Sequence, residues 1–141
     1  MSKIKVYTDG ASRGNPGTSG IGIIIYDENN FILSSWNEYL GIATNNQAEY
    51  KAILKSLDLI KKLIAERDFD EIEFYADSLL MVNQLNFDFK INEPGLAILN
   101  NKFHVLMKKL NKSYKVIYIG REFNKAADRL ANQAIDNRKS L

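Results

Sequence analysis

Three strand-like stretches follow one another before the chain offers its first helix, and the links between them are short. Residues 3–9 alternate, residues 20–26 (GIGIIIY) are rich in β-branched side chains, and residues 31–40 follow a turn, Asp27-Glu28-Asn29-Asn30. Parallel neighbours need a crossover of about a dozen residues or more, so such links predict an antiparallel meander. The period then changes. Residues 45–66 place Ala48, Ala52, Ile53, Ser56, Leu57 and Ile60 at helical spacing, and Thr44 stands where a cap belongs. Residues 71–76 read as a fourth strand, residues 78–86 as a short helix, and residues 87–94 as a loop running into Glu93-Pro94-Gly95. A helix over residues 96–110, a fifth strand over 114–119 and a last helix over 124–138 complete the order β-β-β-α-β-α-α-β-α. That order predicts an α/β fold: a five-stranded mixed sheet, three antiparallel strands followed by two parallel ones, flanked by helices. The 141 residues suit one domain, 1–141.

Composition narrows the chemistry. Without cysteine there is no disulfide and no thiolate metal site. No stretch approaches the ~20 apolar residues of a membrane span, and the first residues lack the apolar core of a signal peptide, so no membrane partner and a cytoplasmic location are expected. The net charge is only +2 but is unevenly spread. From Glu66 to Asp77 there are six acids and one base; from Pro94 to Arg121 there are six bases and no acid. Each run reads as a solvated face, and the basic one also as a surface that tracks phosphates.

The stretch YTDGASRGNPG, residues 7–17, poses the functional question. A phosphate cradle needs a Walker or dinucleotide fingerprint opening a helix, and neither is present; the stretch runs into a strand instead. It reads as a glycine-rich hairpin loop, which leaves Asp9 unexplained. Three other acids are equally out of place. Asp77 ends the fourth strand, so in a sheet where that strand runs parallel to the first, Asp9 and Asp77 emerge together at the carboxyl edge where open α/β sheets bind ligands. Glu49 and Asp128 lie early on their helices, beside the apolar stripes rather than opposite them. Taken singly, each has an ordinary explanation: a turn aspartate, a helix cap, or an acid favoured by the helix dipole. Taken together, four converging carboxylates cannot all stay ionised without cations. An all-oxygen donor set favours Mg²⁺ or Mn²⁺ over zinc, and paired ions of this kind serve phosphodiester hydrolysis.

The segments around these acids are Tyr7-Thr8-Asp9-Gly10-Ala11 with Gly14-Asn15-Pro16-Gly17, Thr44-Asn45-Asn46-Gln47-Ala48-Glu49, Tyr75-Ala76-Asp77-Ser78, and Asn124-Lys125-Ala126-Ala127-Asp128-Arg129-Leu130-Ala131. In this order and spacing the chain resembles type 1 ribonuclease H over nearly its whole length. The resemblance implies the ribonuclease H-like fold and an endonuclease cutting the RNA strand of RNA/DNA hybrids, leaving 5′-phosphate and 3′-hydroxyl ends. It implies two Mg²⁺, with Mn²⁺ able to substitute, held by Asp9, Glu49, Asp77 and Asp128. It further implies that Glu49 accepts a hydrogen bond from a ribose 2′-hydroxyl, and that Gly10, Asn15, Asn45, Asn46 and Ser78 meet the substrate. The glycines before the second strand would let the backbone approach nucleic acid.

Two departures stand out. Many members carry a histidine between the fifth strand and the last helix; here that stretch reads Ile119-Gly120-Arg121-Glu122-Phe123, leaving Arg121 or Glu122 as substitutes. The single histidine, His104, is expected to be structural or on the surface. Some members also carry a long basic protrusion; here residues 87–94 hold Lys90 alone as a base, and Phe87 and Phe89 are expected to pack beneath the sheet rather than stack on DNA. The histidine-free stretch also resembles branches in which double-stranded RNA is a further substrate. A binding module with a dead site, or an interaction domain of a larger complex, is the alternative from another class. A monomer is expected.

Overall fold

The computed structural model describes residues 2–139. In chain order the elements are β1 (Lys3–Gly14), β2 (Gly17–Asp27), β3 (Ile32–Ala43), α1 (Asn45–Glu66), β4 (Glu71–Ala76), α2 (Leu79–Leu85), α3 (Pro94–Leu110), β5 (Ser113–Tyr118), a 3₁₀ turn (Arg121–Phe123) and α4 (Lys125–Lys139). The sheet order is β3-β2-β1-β4-β5, with β1–β2 and β2–β3 antiparallel and β1–β4 and β4–β5 parallel. This is the mixed sheet that the element order predicts.

Strand β2 explains the layering. Its residues are buried without alternation from Ser19 to Ile25 because both faces are covered. Ile21, Ile23 and Ile25 join Ile4, Val6, Ile53, Ile60 and Phe74 in the main core beneath α1 and α3. Phe74 meets Phe103 of α3 and Tyr114 of β5 edge-on, at 5.5 and 6.3 Å between centroids, which ties the parallel half of the sheet to its helix. On the opposite face, which Ile24 shares by alternation, Gly20 and Gly22 meet α4, whose buried residues include Ala127, Ala131, Ala134 and Ile135. A Cβ on Gly20 would lie 2.5 Å from the Ala131 carbonyl oxygen, and one on Gly22 would be 2.8 Å from Leu130 Cβ. The two glycines therefore let a helix backbone rest directly on a strand.

The structure revises three sequence expectations. The glycine-rich hairpin loop is mostly strand: β1 and β2 stay paired from Ile4↔Asp27 to Gly14↔Gly17, and only Asn15 and Pro16 turn. Small side chains read poorly as strand, but here they are held by pairing and by a hydroxyl cluster. Ser19 donates to Ser12 at 3.0 Å, and Ser12 donates to the Ala43 carbonyl at 3.1 Å. Second, α3 starts at Pro94 rather than after it. Proline suits the first helical position, and Glu93 caps the helix by accepting from the Gly95 and Leu96 amides at 2.7 and 3.0 Å. Third, Phe87 and Phe89 do not pack beneath the sheet; they are 77% and 47% exposed. Phe87 adopts φ 64°, and its ring stacks on His104 at 4.6 Å, away from the core. The Thr44 cap is as read: its hydroxyl accepts from the Gln47 amide while the Gln47 side chain accepts from the Thr44 amide.

Because α4 rests on bare backbone, Gly22→Ala should push the helix off the sheet. We expect a loss of about 2 kcal/mol in urea denaturation, the order found when well-packed contacts are overfilled.

Candidate active site

The parallel ladder between β1 and β4 ends at Tyr7↔Tyr75. Asp9 and Asp77 each stand two residues further on, so the sheet delivers two carboxylates side by side at its carboxyl edge. Glu49 arrives from the second turn of α1, and its position is set by Gly10. The Gly10 amide donates to Glu49 Oε1 at 2.9 Å, and a Cβ on Gly10 would lie 2.6 Å from the Ala48 carbonyl oxygen. The helix thus lies against β1 where the strand has no side chain. One oxygen from each of Asp9, Glu49 and Asp77 falls within 4.8 Å of the others. Asp9 and Glu49 are buried, at 5% and 8% exposure.

Asp128 stands outside this tight trio. It is exposed, near the start of α4, but lines the same cavity of about 420 Å³ and comes within hydrogen-bonding reach of Asp9. Its Oδ1 accepts from Asn132 Nδ2 at 3.2 Å. The structure also places Gly10, Asn45, Asn46 and Ser78 on the cavity wall. Ser78, not Asp77, caps α2; its hydroxyl oxygen accepts from the Met81 amide at 3.3 Å and keeps its proton for another partner. Asn15 lies elsewhere, in the neighbouring groove with Thr44 and Gln47, where its Oδ1 accepts from the Asn45 amide at 3.0 Å.

Arg121 lines the cavity and Glu122 does not. The Glu122 carboxylate instead folds back over Gly120. His104 sits on α3 against Phe87, where burial pushes its pKa down. Sequence reasoning missed Asn124. This residue is 1% exposed, and its Nδ2 donates to Asp77 Oδ2 and to the Thr8 carbonyl, both at 2.9 Å.

The electrostatics are those of a site short of positive charge. Burial, then the charges of Glu49 and Asp77, push the Asp9 carboxyl far above the ordinary carboxylate range. Burial and Asp77 raise Glu49 as well, against the lowering pull of the Gly10 amide and the Arg121 guanidinium. Like charges crowded in a low-dielectric site retain protons unless cations replace them. An all-oxygen, anionic, partly buried donor set suits a hard divalent ion.

A family profile described as reverse transcriptase-like matches residues 7–134. The crystal structure of LC11-RNase H1 in complex with an RNA/DNA hybrid, a protein isolated from compost, superposes with a TM-score of 0.89 at 36% identity, covering 96% of this chain and 98% of that one. The chain belongs to the type 1 ribonuclease H family. Ribonuclease HI of Halobacterium salinarum is 34% identical over 135 residues, 96% of this chain and 65% of that protein. A bifunctional protein of Mycobacterium tuberculosis is 35% identical over 138 residues, 95% of this chain and 36% of its own length. The chain thus spans only part of these curated relatives. Ribonucleases H use divalent metal ions, in keeping with the buried acidic cluster.

Stability should report the crowding. Carboxyls whose folded pKa is raised hold protons in the folded state that the unfolded chain has already released, so stability falls as pH rises above the ordinary carboxylate range. Without divalent cations the urea midpoint should drop between about pH 5 and about pH 8.5, and millimolar Mg²⁺ should restore it. Asp9→Asn removes one charge from the cluster. At the upper pH, in chelator, it should be about 1–2 kcal/mol more stable than the native sequence and should lose most of the pH slope.

Proposed function

We propose that the chain is an endoribonuclease that hydrolyses the RNA strand of RNA/DNA hybrids, leaving 5′-phosphate and 3′-hydroxyl ends, and that residues 1–141 act as one catalytic domain. The observation that carries this reading is the convergence of Asp9, Glu49 and Asp77 within 4.8 Å on the floor of an open cavity, with Asp128 at its rim. Two Mg²⁺, with Mn²⁺ able to substitute, would be held by these four acids. Once bound, such ions supply Lewis acidity at the scissile phosphate and an activated water near neutral pH.

The protein's own groups supply position and selection. Glu49 gives one oxygen to the Gly10 amide and keeps the other for the site. An acceptor fixed there suits a ribose 2′-hydroxyl, the group that separates RNA from DNA. Asn45 and Asn46 face the cavity with amides that both donate and accept, and so match a groove of mixed hydrogen-bonding character. Asn15 extends this row into the neighbouring groove, and the Ser78 hydroxyl retains a free donor proton. Arg121 lines the cavity from the stretch between β5 and α4, the stretch in which members of the resembled family often carry a histidine. A guanidinium stays charged at any working pH, so it grips phosphate but does not relay protons. Double-stranded RNA is a second substrate to be tested, and we take the active form to be a cytoplasmic monomer.

The deciding assay is cleavage of an end-labelled RNA/DNA hybrid, with single-stranded RNA, double-stranded RNA and duplex DNA beside it, in Mg²⁺, Mn²⁺ and chelator. Metal-dependent cutting of the hybrid RNA, reduced at least ~10³-fold by Asp9→Asn, is the expected result. Hybrid binding without cutting in any metal would make the chain a dead-site binding module. A second comparison separates the two histidine substitutes. Arg121→Ala should lower kcat/KM about tenfold or more and flatten the salt dependence of hybrid binding, whereas Glu122→Gln should leave the rate unchanged across pH.

A further inference from the structure

We infer that Asn124 is the positioning residue of the acid cluster: its single side-chain amide fixes Asp77 relative to Asp9 and seats the helix that brings Asp128. This rests on reading the cavity as a metal-dependent nuclease site. An amide nitrogen has two hydrogens, and both are committed, one to Asp77 Oδ2 and one to the Thr8 carbonyl. The Thr8 carbonyl belongs to the residue just before Asp9, immediately past the last pair of the β1–β4 ladder. The amide therefore takes over where strand pairing stops and carries the connection from backbone to carboxylate. Asn124 also precedes the first turn of α4, and its carbonyl accepts from the Asp128 amide at 3.1 Å. One residue thus links the strand bearing Asp9, the side chain of Asp77 and the helix bearing Asp128.

The chemistry of the donor matters as much as its place. Asp77 is held through Oδ2, just as Glu49 is held through Oε1 by the Gly10 amide, and each carboxylate has a second oxygen outside these two bonds. Both carboxylates are oriented by neutral N–H groups. A lysine or arginine in either place would orient the carboxylate too, but would also cancel the charge that a cation needs. The Asn124 Oδ1 atom is buried with no hydrogen-bond partner among the described residues, and so is Thr8 Oγ1. A residue kept for packing alone has little reason to leave a buried acceptor unpaired. The donor half of the amide is the part in use.

The test separates positioning from folding. Asn124→Ala removes both donors, and Asn124→Ser keeps a smaller polar group with one. Each variant is first checked for cooperative unfolding, then assayed well below its melting temperature. Calorimetry reports Mg²⁺ binding to the metal-free protein, and steady-state kinetics on the hybrid report kcat and KM. We expect Mg²⁺ affinity to fall at least about fivefold and kcat about 10- to 100-fold in Asn124→Ala, with hybrid KM within about twofold and Asn124→Ser in between. A folded variant, of either kind, with Mg²⁺ affinity and kcat within about twofold of the native protein overturns the inference, even if it melts earlier. Absence of hybrid cleavage by the native sequence would sink the functional reading instead; the calorimetric comparison would still decide the role of Asn124.

Discussion

Repulsion among Asp9, Glu49 and Asp77 is the force that the rest of the structure contains. The Gly10 and Asn124 amides that donate to Glu49 and Asp77 are neutral, so they aim the carboxylates without neutralising them, and the Arg121 guanidinium offsets only part of the charge on Glu49. What holds the acids together is backbone. The parallel β1–β4 ladder brings Asp9 and Asp77 out at one edge, and α1 lies against Gly10 so closely that a methyl group would not fit. Across the sheet, α4 rests on Gly20 and Gly22 in the same way. Three bare backbone contacts thus set the height of two helices, and with it the position of Glu49 and Asp128. Stability is spent to keep charges crowded for a cation, the trade often seen between a working site and a relaxed one.

The acids were legible in the sequence because each breaks a local rule. Asp9 breaks the alternation of residues 3–9 with a charge, Asp77 follows the last residue of β4, and Glu49 lies beside an apolar stripe rather than opposite it. Their convergence follows once β1 and β4 are parallel neighbours, which the element order dictates. The Thr44 cap was legible for a similar reason, since hydroxyl and glutamine sit at the spacing that a capping box requires. Periodicity also placed α1 and β4 at the ends they have.

What stayed hidden depends on partners distant in sequence. Gly10-Ala11-Ser12 carries no strand signal, and pairing with Gly20 and Ile21 makes it strand. Glycines within β2 announce that something approaches, but not that it is α4. Pro94 reads as the end of a loop until Glu93 is seen capping the turn behind it. Phe87 and Phe89 look like core by composition, yet the tight turn after α2 leaves them facing outward. Asn124 opens one of the segments that carry the resemblance, but an asparagine ahead of a helix reads as ordinary, and its importance lies in two acceptors 47 and 116 residues away.

The unbroken pairing of β1 with β2 out to Gly14↔Gly17 has one more consequence. Asp9 and the hairpin tip that holds Asn15 belong to a single extended segment, at about 3.3 Å per residue. If Asn15 meets a groove of the bound hybrid, the hairpin is a ruler: it measures a constant distance from that contact to the bond being cut. A floppy loop would let the cut wander by a nucleotide. Under the function proposed above, a paired strand is a gauge, and because side chains alternate faces, lengthening it by one residue would turn the gauge over as well as extend it.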